Sequence, residues 1–178
     1  MTAQRKYKLR SGTLLLELGS IYQTNYCGPM EIVEMHNANK YSVKFVNTGT
    51  IKEARKGNIL KGTVRDPYCA LLHGVGYIGE GKYRSLDIIG PKKYKNTDAY
   101  KAWGHILSRC YGTGSLRETN CCYKDSTMQE SWWNFQTFAE WYYTNKPSCN
   151  YALQIDKDLK VPGNKVYGPD TCTFVPSA

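Results

Sequence analysis

The stretch MEIVEMHNANKYSVKFV, residues 30–46, decides the fold of the first half of this chain. Within it, Tyr41, Val43 and Phe45 alternate with polar residues, which is the period of a β-strand that buries one face. MEIVEM lies before this strand, and the turn-forming residues 36–39 separate the two. The stretch therefore predicts a β-hairpin with one apolar and one polar face.

Further short strands are predicted after this hairpin. Glycine-containing breaks at 48–49, 56–58 and 61–62 leave the segments TIKEAR, NIL and TVRD between or beside them. Five short strands in about fifty residues are typical of a small antiparallel barrel. We therefore predict an SH3-like β-barrel over residues 13–66, preceded by a basic arm over residues 1–12.

The excess positive charge lies in the first half of the chain. The formal net charge is +9; residues 1–95 hold 16 Lys and Arg against 7 Asp and Glu, whereas residues 96–178 hold 8 of each. Such an asymmetry favours binding to a polyanion, although a solvated basic face or tail would also explain it. The candidate phosphate-binding residues in the arm and the barrel are Arg5, Lys6, Lys8, Arg10, Lys40, Lys44, Lys52, Arg55, Lys56, Lys61 and Arg65.

Composition argues against several classes of protein. With 178 residues, of which 41% are hydrophobic, the chain is long enough to bury a core. The apolar run at residues 14–16 is too short for a signal peptide or a membrane span, which predicts a soluble cytoplasmic protein. Seven cysteines without a Cys-x-x-Cys pair favour free thiols in a reducing compartment over a disulfide framework or a zinc site.

Residues 67–96 are rich in glycine and end in a basic run. The glycines predict tight turns, and GVGYIGEGKYRS lacks the strand-to-helix setting of a nucleotide phosphate-binding loop. We therefore predict a Gly-rich basic connector between two modules. An extended basic and aromatic segment would alternatively trace a nucleic-acid groove, which adds Lys92, Lys93 and Lys95 to the candidate contacts.

Two helices are predicted in the second half. Thr97 or Asp98 caps a helix that runs to about Tyr111, because apolar residues recur there at helical spacing. Ser131 caps a second helix that follows it directly. The aromatic stripe of this second helix is expected to be core, because platforms that stack bases usually lie on exposed sheets or loops.

The segment YALQIDKDLKVPGNKVYGPDTCTFVP, residues 151–176, concentrates polar side chains near the C-terminus. YALQID is predicted as a short strand ending at Asp156, residues 162–164 as a turn, and residues 171–175 as a return element. This order is similar to the hairpin of a one-metal nuclease. In such a site acid, Asn and His side chains surround one divalent ion, and a His activates water.

Several motifs together resemble the phage-encoded HNH-like homing endonucleases, many of which also carry a C-terminal AP2-type DNA-binding domain. They are YKAWGHILSRCY, W-x-N-F-x-x-F-A-x-W-Y, IDKD, GNKVY and PDTCTFVP, with VKFVNTGT and GVGYIGEGKY in the first half. The likeness covers most of the chain. It implies an α+β protein whose residues 97–178 form a helical module with a degenerate HNH-like ββα-metal hairpin.

Carried over onto this chain, the resemblance implies that Asp156 is the strand-end acid and Asn164 the turn asparagine. The histidine that would serve as general base falls on Lys157. Imidazole has an unperturbed pKa of about 6.5 and accepts a proton near neutrality, whereas lysine, at about 10.4, is already protonated. The implied catalytic residues are therefore Asp156, Lys157 and Asn164, with Lys157 better suited to holding a phosphate.

Asp156 and Asp158 are the candidate ligands of a hard cation such as Mg²⁺, with Asp170 as an assisting group. A structural interpretation stands beside this one. In it, Asp156 and Asp158 cap turns and pair with Lys157 or Lys160.

The resemblance implies a phage-type protein, in the cytoplasm of a host cell, that binds duplex DNA and holds a degenerate or weak metal-dependent nuclease centre. The chain stops just after FVP, where many relatives continue into the AP2-type domain. The alternative is a non-enzymatic phage protein that binds and inhibits a host or defence protein with a recycled nuclease fold, for which 15 Tyr and 4 Trp are a rich supply of contact residues. RNA binding is a third, weaker alternative.

Overall fold

A computed structural model describes Tyr7–Lys8, residues 14–113 and residues 125–177 of the chain. The protein is a mixed α+β structure, as predicted, and divides into two compact units, Met1–Cys69 and Ala70–Ala178. Arg5, Lys6 and Arg10 of the predicted basic arm lie outside the described residues. Across the described ranges, no helix combines the length and the apolar character needed to cross a membrane.

The first unit is built from antiparallel strands. A two-stranded pair, β1 (Tyr7–Lys8) with β2 (Leu14–Leu15), comes first. A four-stranded sheet then follows in chain order: β3 (Ile21–Gln23), β4 (Pro29–Asn37), β5 (Lys40–Phe45) and β6 (Ile51–Arg55). The hairpin predicted from residues 30–46 is confirmed as β4 and β5.

The apolar face of this hairpin forms the core of the first unit. Ile32 lies opposite Val43, and Met30 lies opposite Phe45, in the β4–β5 register. All four side chains are fully buried. Burying a side chain of this size stabilises the fold by about 1.5–3 kcal/mol, so the alternation in the sequence is enough to fix which face turns inward.

The sheet of the first unit is open, and the described residues do not close it into the barrel that was predicted. Two of the five predicted strands are absent: NIL lies in a short helix, α1 (Lys56–Leu60), and TVRD has no strand partner. After Arg55 the chain leaves the sheet edge, where Lys56 N donates to Asn39 O at 2.9 Å. Ile59 and Val64 still reach the core, but from helical and irregular backbone. Segments as short as NIL and TVRD, with two apolar residues and one, do not distinguish these conformations from a strand.

The second unit begins with a loop, residues 70–85, that was predicted as part of a turn-rich connector. This loop packs onto the helices of its own unit: Tyr77 N donates to Trp133 O at 2.9 Å, and Phe135 N donates to Tyr77 O at 2.9 Å. A Cβ added at Gly76 would lie 2.5 Å from a methyl carbon of Leu107. Gly76 therefore serves close packing rather than a tight turn.

The last part of the predicted connector is a β-hairpin. Strand β7 (Leu86–Gly90) pairs with β8 (Lys93–Asn96) in an antiparallel register with a bulge between Ile88 and Gly90. Pro91 and Lys92 form the turn, and Lys92 has a positive φ of 56°. The run DIIGPKKYK thus contains a Gly-Pro turn signal between two short strands, which the glycine count of the whole segment concealed.

Helix α2 (Asp98–Tyr111) has the predicted boundaries. Its N-cap is Thr97, whose hydroxyl accepts a hydrogen bond from Tyr100 N at 3.2 Å. The helix buries Trp103, Ile106 and Leu107 in the core of the second unit. The indole of Trp103 donates to Trp132 O at 2.7 Å, which joins α2 to the next element.

The second predicted helix begins later than expected. Residues Glu130–Trp133 form a 3₁₀ turn, and α3 (Phe135–Asn145) follows it. The cap is Asn134, whose side-chain oxygen accepts from Gln136 N at 3.0 Å, so the prediction of Ser131 as cap was wrong. The prediction that the aromatic stripe is core is confirmed, because all its members are buried: Trp132, Phe135, Phe138, Ala139 and Tyr142.

Short strands complete the second unit. They are β9 (Thr127–Met128), β10 (Leu153–Asp156), β11 (Val166–Tyr167) and β12 (Thr173–Pro176). β10 pairs with β12 in an antiparallel register, and β11 pairs with β9 in a parallel one. The predicted strand ending at Asp156 and the return element after residue 171 are thus present. The ring of Phe174 stacks on Trp141 with centroids 5.4 Å apart, which fixes β12 against α3.

Candidate nucleic-acid interface

Asp156, the candidate strand-end acid, caps a turn at the end of β10. Its Oδ1 accepts hydrogen bonds from the backbone N–H groups of Asp158, at 2.8 Å, and Leu159, at 2.6 Å. An Asp side chain that bonds to the backbone two and three residues ahead is a standard turn-forming element. This oxygen therefore holds the chain in its turn.

Lys157, at the position of the expected histidine, is buried rather than presented to solvent. Its side chain is 6% exposed, and its ammonium is paired with Asp158 Oδ1. The same Nζ lies 5.7 Å from the centroid of the Tyr167 ring. The charge of Lys157 is thus satisfied inside the hairpin by a carboxylate and an aromatic face, and it does not face solvent, where a phosphate would approach.

Asn164 uses both halves of its amide within the same segment. Its Nδ2 donates to Lys157 O at 2.9 Å and to Val166 O at 2.7 Å. Its Oδ1 accepts from Val166 N at 3.2 Å. The candidate catalytic residues are therefore brought together, as the resemblance implied, but in hydrogen bonds that fold the hairpin.

The same contacts make this segment a poor fit for Mg²⁺. One oxygen of Asp156 already accepts two N–H groups, and one oxygen of Asp158 faces the Lys157 ammonium, which would repel a divalent ion there. Asp170 is exposed in the turn before β12. Nowhere in the described ranges do three or more His, Cys, Asp or Glu side chains form a group able to hold a metal ion.

The outer face of the four-stranded sheet carries three of the seven basic residues predicted for the barrel, and acids accompany them. The register places Lys44 opposite Glu31, and Ser42 opposite both Glu34 and Glu53. The charged residues that share this face are Glu31, Glu34, Glu53, Lys40, Lys44 and Arg55, three of each sign. The sheet face is therefore close to neutral, although its sequence is rich in lysine.

Contacts within the first unit also engage the basic side chains. Lys40 Nζ lies 2.6 Å from Glu53 Oε2, and this contact lowers the pKa of the Glu53 carboxyl. Lys52 lies opposite Val43, away from the outer face, and its Nζ donates to Arg65 O at 3.3 Å. The Arg65 guanidinium lies 5.7 Å from the centroid of the Tyr26 ring. The basic candidates on the strands are therefore divided between the two faces of the sheet.

His36 and three polar side chains around it form a cluster on the sheet's outer face. His36 Nε2 lies 2.8 Å from Ser42 Oγ, 3.7 Å from Glu34 Oε2 and 3.6 Å from Glu53 Oε1. In a Ser-His-acid triad the acid contacts the ring nitrogen that does not face the serine. Here both carboxylates approach the nitrogen that does, so the cluster lacks the geometry of a nucleophilic site.

The β7–β8 hairpin presents its charge differently. Every residue from Leu86 to Asn96 is exposed except Gly90, which is half-buried. Lys92, Lys93 and Lys95 have no ion pair within the described part of the chain. The hairpin holds one acid, Asp87, in its eleven residues, so it carries a local net charge of +2.

The register of this hairpin separates two faces. Ile88 lies opposite Tyr94, and Leu86 lies opposite Asn96, so one face is mainly apolar. Lys95 lies opposite Asp87 on the other face, and Lys93 follows it there. Because the bulge places Ile89 and Gly90 together against Lys93, Ile89 belongs to the lysine face.

A small cleft lies between α2 and β10. It has a volume of about 130 Å³, and its polar lining consists of His105, Arg109, Gln154 and the Tyr142 side chain. Helical spacing alone places His105 on the solvent side of α2, where it is indeed exposed. Its proximity to β10 depends on tertiary packing, which no local sequence signal reports.

Comparison of the chain with protein-family models, with curated proteins and with solved structures found no match. The resemblance to HNH-like homing endonucleases therefore stays a prediction that rests on the quoted motifs. The function has to be argued from the side chains that the fold leaves accessible.

Proposed function

We propose that this chain is a duplex DNA-binding protein whose phosphate contacts come from the β7–β8 hairpin, and whose nuclease-like segment after β10 has a structural role. The observation that carries the proposal is the set of three exposed lysines, Lys92, Lys93 and Lys95, which have no ion pair within the described residues. Asp87 lies opposite Lys95, so the hairpin keeps a local net charge of +2. Lysines that meet phosphates release counterions, and this release supplies most non-specific DNA affinity.

The shape of the hairpin supports the same proposal. Two-stranded β-ribbons of DNA-binding proteins lie in the major or in the minor groove. The lysine face of the β7–β8 ribbon carries Lys93 and Lys95, and Lys92 stands at its turn. A ribbon lying in or across a groove would therefore bring all three ammonium groups near the flanking phosphates.

Cleavage is proposed to be weak or absent. A general base must accept a proton from water near neutral pH. The residue in the place of the expected histidine is a buried lysine that is paired with Asp158 and lies over Tyr167. The oxygens that would bind a metal ion hold the turn instead.

A salt series on two charge-matched variants tests the proposal. The first replaces Lys92, Lys93 and Lys95 by Gln, and the second replaces Lys40, Lys44 and Arg55 by Gln on the sheet face. With three phosphate contacts, the wild-type slope of log affinity against log salt has a contribution of about −2.7, or about 40-fold between 50 and 200 mM salt. We expect the hairpin variant to lose this contribution and the sheet variant to keep it, by fluorescence anisotropy with a labelled duplex.

Two results would contradict the proposal. Equal losses in the two variants would mean that net charge matters and the hairpin does not. Mg²⁺-dependent nicking of a supercoiled plasmid that Asp156→Ala abolishes would restore a working nuclease centre. A parallel series with double-stranded RNA of the same sequence decides between DNA and RNA as the favoured duplex.

The second candidate function is a non-enzymatic protein that binds and inhibits a host or defence protein. The observation that favours it is the apolar face of the same hairpin, where Ile88 is 68% and Tyr94 62% exposed. Exposed aromatic and aliphatic side chains of this kind are enriched in the centres of protein interfaces. No duplex affinity even at 20 mM salt, with a fold that remains intact, would leave this candidate in place of DNA binding.

A further inference from the structure

We propose that the tip of the β7–β8 hairpin is a wedge that enters a duplex groove and opens a base step. Ile89 and Pro91 form the wedge, and Lys92, Lys93 and Lys95 hold the phosphates on either side. This inference rests on the proposed DNA binding and adds a mode of binding and a preferred class of substrate, a duplex that kinks easily.

The position of Ile89 is the first argument. It is 60% exposed, and it follows Ile88 on the strand, so alternation places it on the lysine face and not on the apolar face formed by Ile88 and Tyr94. Pro91 is exposed at the turn, next to Lys92. Minor-groove proteins that kink DNA insert apolar side chains, often Ile, Leu or Pro, between base pairs while basic side chains neutralise the nearby backbone.

The turn itself is the second argument. Pro91 and Lys92 occupy the central positions of a two-residue turn, and Lys92 adopts a φ of 56°. Glycine or asparagine would adopt this conformation more easily than lysine. The chain therefore places a strained, charged residue at the tip, beside the two apolar residues. Strained backbone of this kind is concentrated at sites that contact ligands.

The isolation of the hairpin is the third argument. No residue between 86 and 96 is buried, so the hairpin contributes no side chain to the core of its unit. A two-stranded hairpin of this kind is only marginally stable in water and gains order when a partner covers it. On the lysine face, the charge repels a second copy of the same face and is complementary to a polyanion.

A wedge predicts that the protein binds easily deformed duplexes more tightly than stiff ones. Opening a base step has an energetic cost, which is smaller where the stack is already weakened by a nick or a mismatch, or at a flexible TA or CA step. The protein should therefore bind a nicked duplex more tightly than an intact one, and should bend both.

Two neighbouring isoleucines provide matched variants. Ile89→Ala removes the proposed wedge, and Ile88→Ala removes an equally large and equally exposed side chain from the opposite face. Each variant, and the wild-type protein, is titrated into intact and nicked 30-base-pair duplexes labelled at both ends, so that affinity and the end-to-end distance are read by fluorescence energy transfer. Circular dichroism checks that the fold is unchanged.

We expect the wild type to bend the duplex and to prefer the nicked form by about tenfold or more, and Ile88→Ala to behave in the same way. Ile89→Ala should keep the salt-dependent affinity but lose the bend and the preference. Equal behaviour of the two variants, or binding by the wild type without bending, would overturn the wedge while leaving DNA binding intact. Absence of any duplex binding by the wild type would overturn the proposed function and the wedge with it.

Discussion

The segment after β10 and the β7–β8 hairpin belong to the same unit and contain similar residues, including Lys and Asp side chains around a tight turn. In the first, Lys157 is buried against Tyr167 and Asp158, and Asn164 bonds to the surrounding backbone. In the second, Lys92, Lys93 and Lys95 are exposed. The difference shows that a lysine or an asparagine can bind phosphate only if its polar atoms are not already bonded to other groups of the protein.

The outer face of the four-stranded sheet lies between these extremes. Its lysines are exposed, as in the β7–β8 hairpin, but Glu31, Glu34 and Glu53 share the face and Lys40 pairs with Glu53. Exposure alone is therefore not enough to make a polyanion surface. The sign of the neighbouring charges decides as well.

The largest change in stability is expected from Asn164→Ala in the segment after β10. The substitution removes the side-chain partner of Lys157 O and of Val166 N, while Val166 O keeps the Thr171 hydroxyl at 2.8 Å. We therefore expect the free energy of unfolding to fall by about 1–3 kcal/mol, with DNA affinity unchanged. Urea unfolding measures the loss. Asn145→Ala is the matched control, because Asn145 makes one exposed hydrogen bond to Trp141 O, at 2.8 Å, and its loss should cost under about 0.5 kcal/mol. A loss of DNA affinity without a loss of stability would return Asn164 to the list of binding residues.

Lys92→Gly should move stability and affinity in opposite directions. Glycine relieves the positive φ at the turn, which favours the folded hairpin by up to about 1 kcal/mol, against the greater flexibility of glycine in the unfolded chain. Removal of one ammonium should lower duplex affinity several-fold and reduce the magnitude of the salt slope by about 0.9. Anisotropy at several salt concentrations gives both numbers. An unchanged slope would remove Lys92 from the contact set.

Lys157→Met tests the buried end of the comparison. Methionine retains an unbranched apolar stem against Tyr167 and removes the charge. The Asp158 carboxylate that loses its partner is 50% exposed, so water solvates it and the cost is smaller than for a carboxylate left unpaired in the interior. We expect a change in unfolding free energy within about 1.5 kcal/mol and no change in DNA affinity. A fall in affinity comparable to that of Lys93→Met, measured in parallel, would show that Lys157 reaches phosphate after all.

The smallest effect concerns the sheet face. Contact with Lys40 lowers the pKa of Glu53, so the folded state binds a proton there less readily than the unfolded chain does. The stabilising contribution is therefore present above the ordinary carboxyl pKa of 4.5 and is lost as pH falls through the lowered value. Because the pair is exposed, only a slight acid-side change in thermal midpoint is expected, and Lys40→Met should abolish it. A stability profile that stays the same in Lys40→Met would contradict the assignment.

Features that depend on local periodicity and capping could be predicted from the sequence. The alternation in residues 30–46 gave β4 and β5, and the cap of α2 was predicted as Thr97 or Asp98, because capping residues precede an apolar helical pattern there; it is Thr97. Features were missed where two nearby residues could serve the same structural role, as at the start of α3. Asn134 and Ser131 are both good caps. The helix begins at Asn134, where the N–H and carbonyl of Tyr77 bond to the backbone of Trp133 and Phe135, and this tertiary contact has no local sequence signal.

The candidate site could be located less well than the fold. The sequence identified Lys92, Lys93 and Lys95 as basic residues, but only the three-dimensional structure shows that they form no ion pair with another described residue. Conversely, Asp156, Lys157 and Asn164 are close together as the motif implied, but Asp156 and Asn164 bond to backbone groups, which every sequence contains, and the Lys157 ammonium pairs with the neighbouring Asp158. A side-chain motif does not report which backbone groups will be within reach.

The loop of residues 70–85 has a practical consequence for dissecting the protein. Gln136 brackets the backbone of Tyr83, accepting from its N–H and donating to its carbonyl at 2.9 Å each, and Tyr77 is bonded on both sides to the backbone around Asn134. A fragment that starts at the first long helix would expose these groups and the indole face beneath Gly76. Independent expression of the second half should therefore begin at Ala70. A truncation, a proteolytic cut or a fusion point inside this loop would expose apolar and polar groups of the unit, and we expect the product to be insoluble whether or not the protein binds DNA.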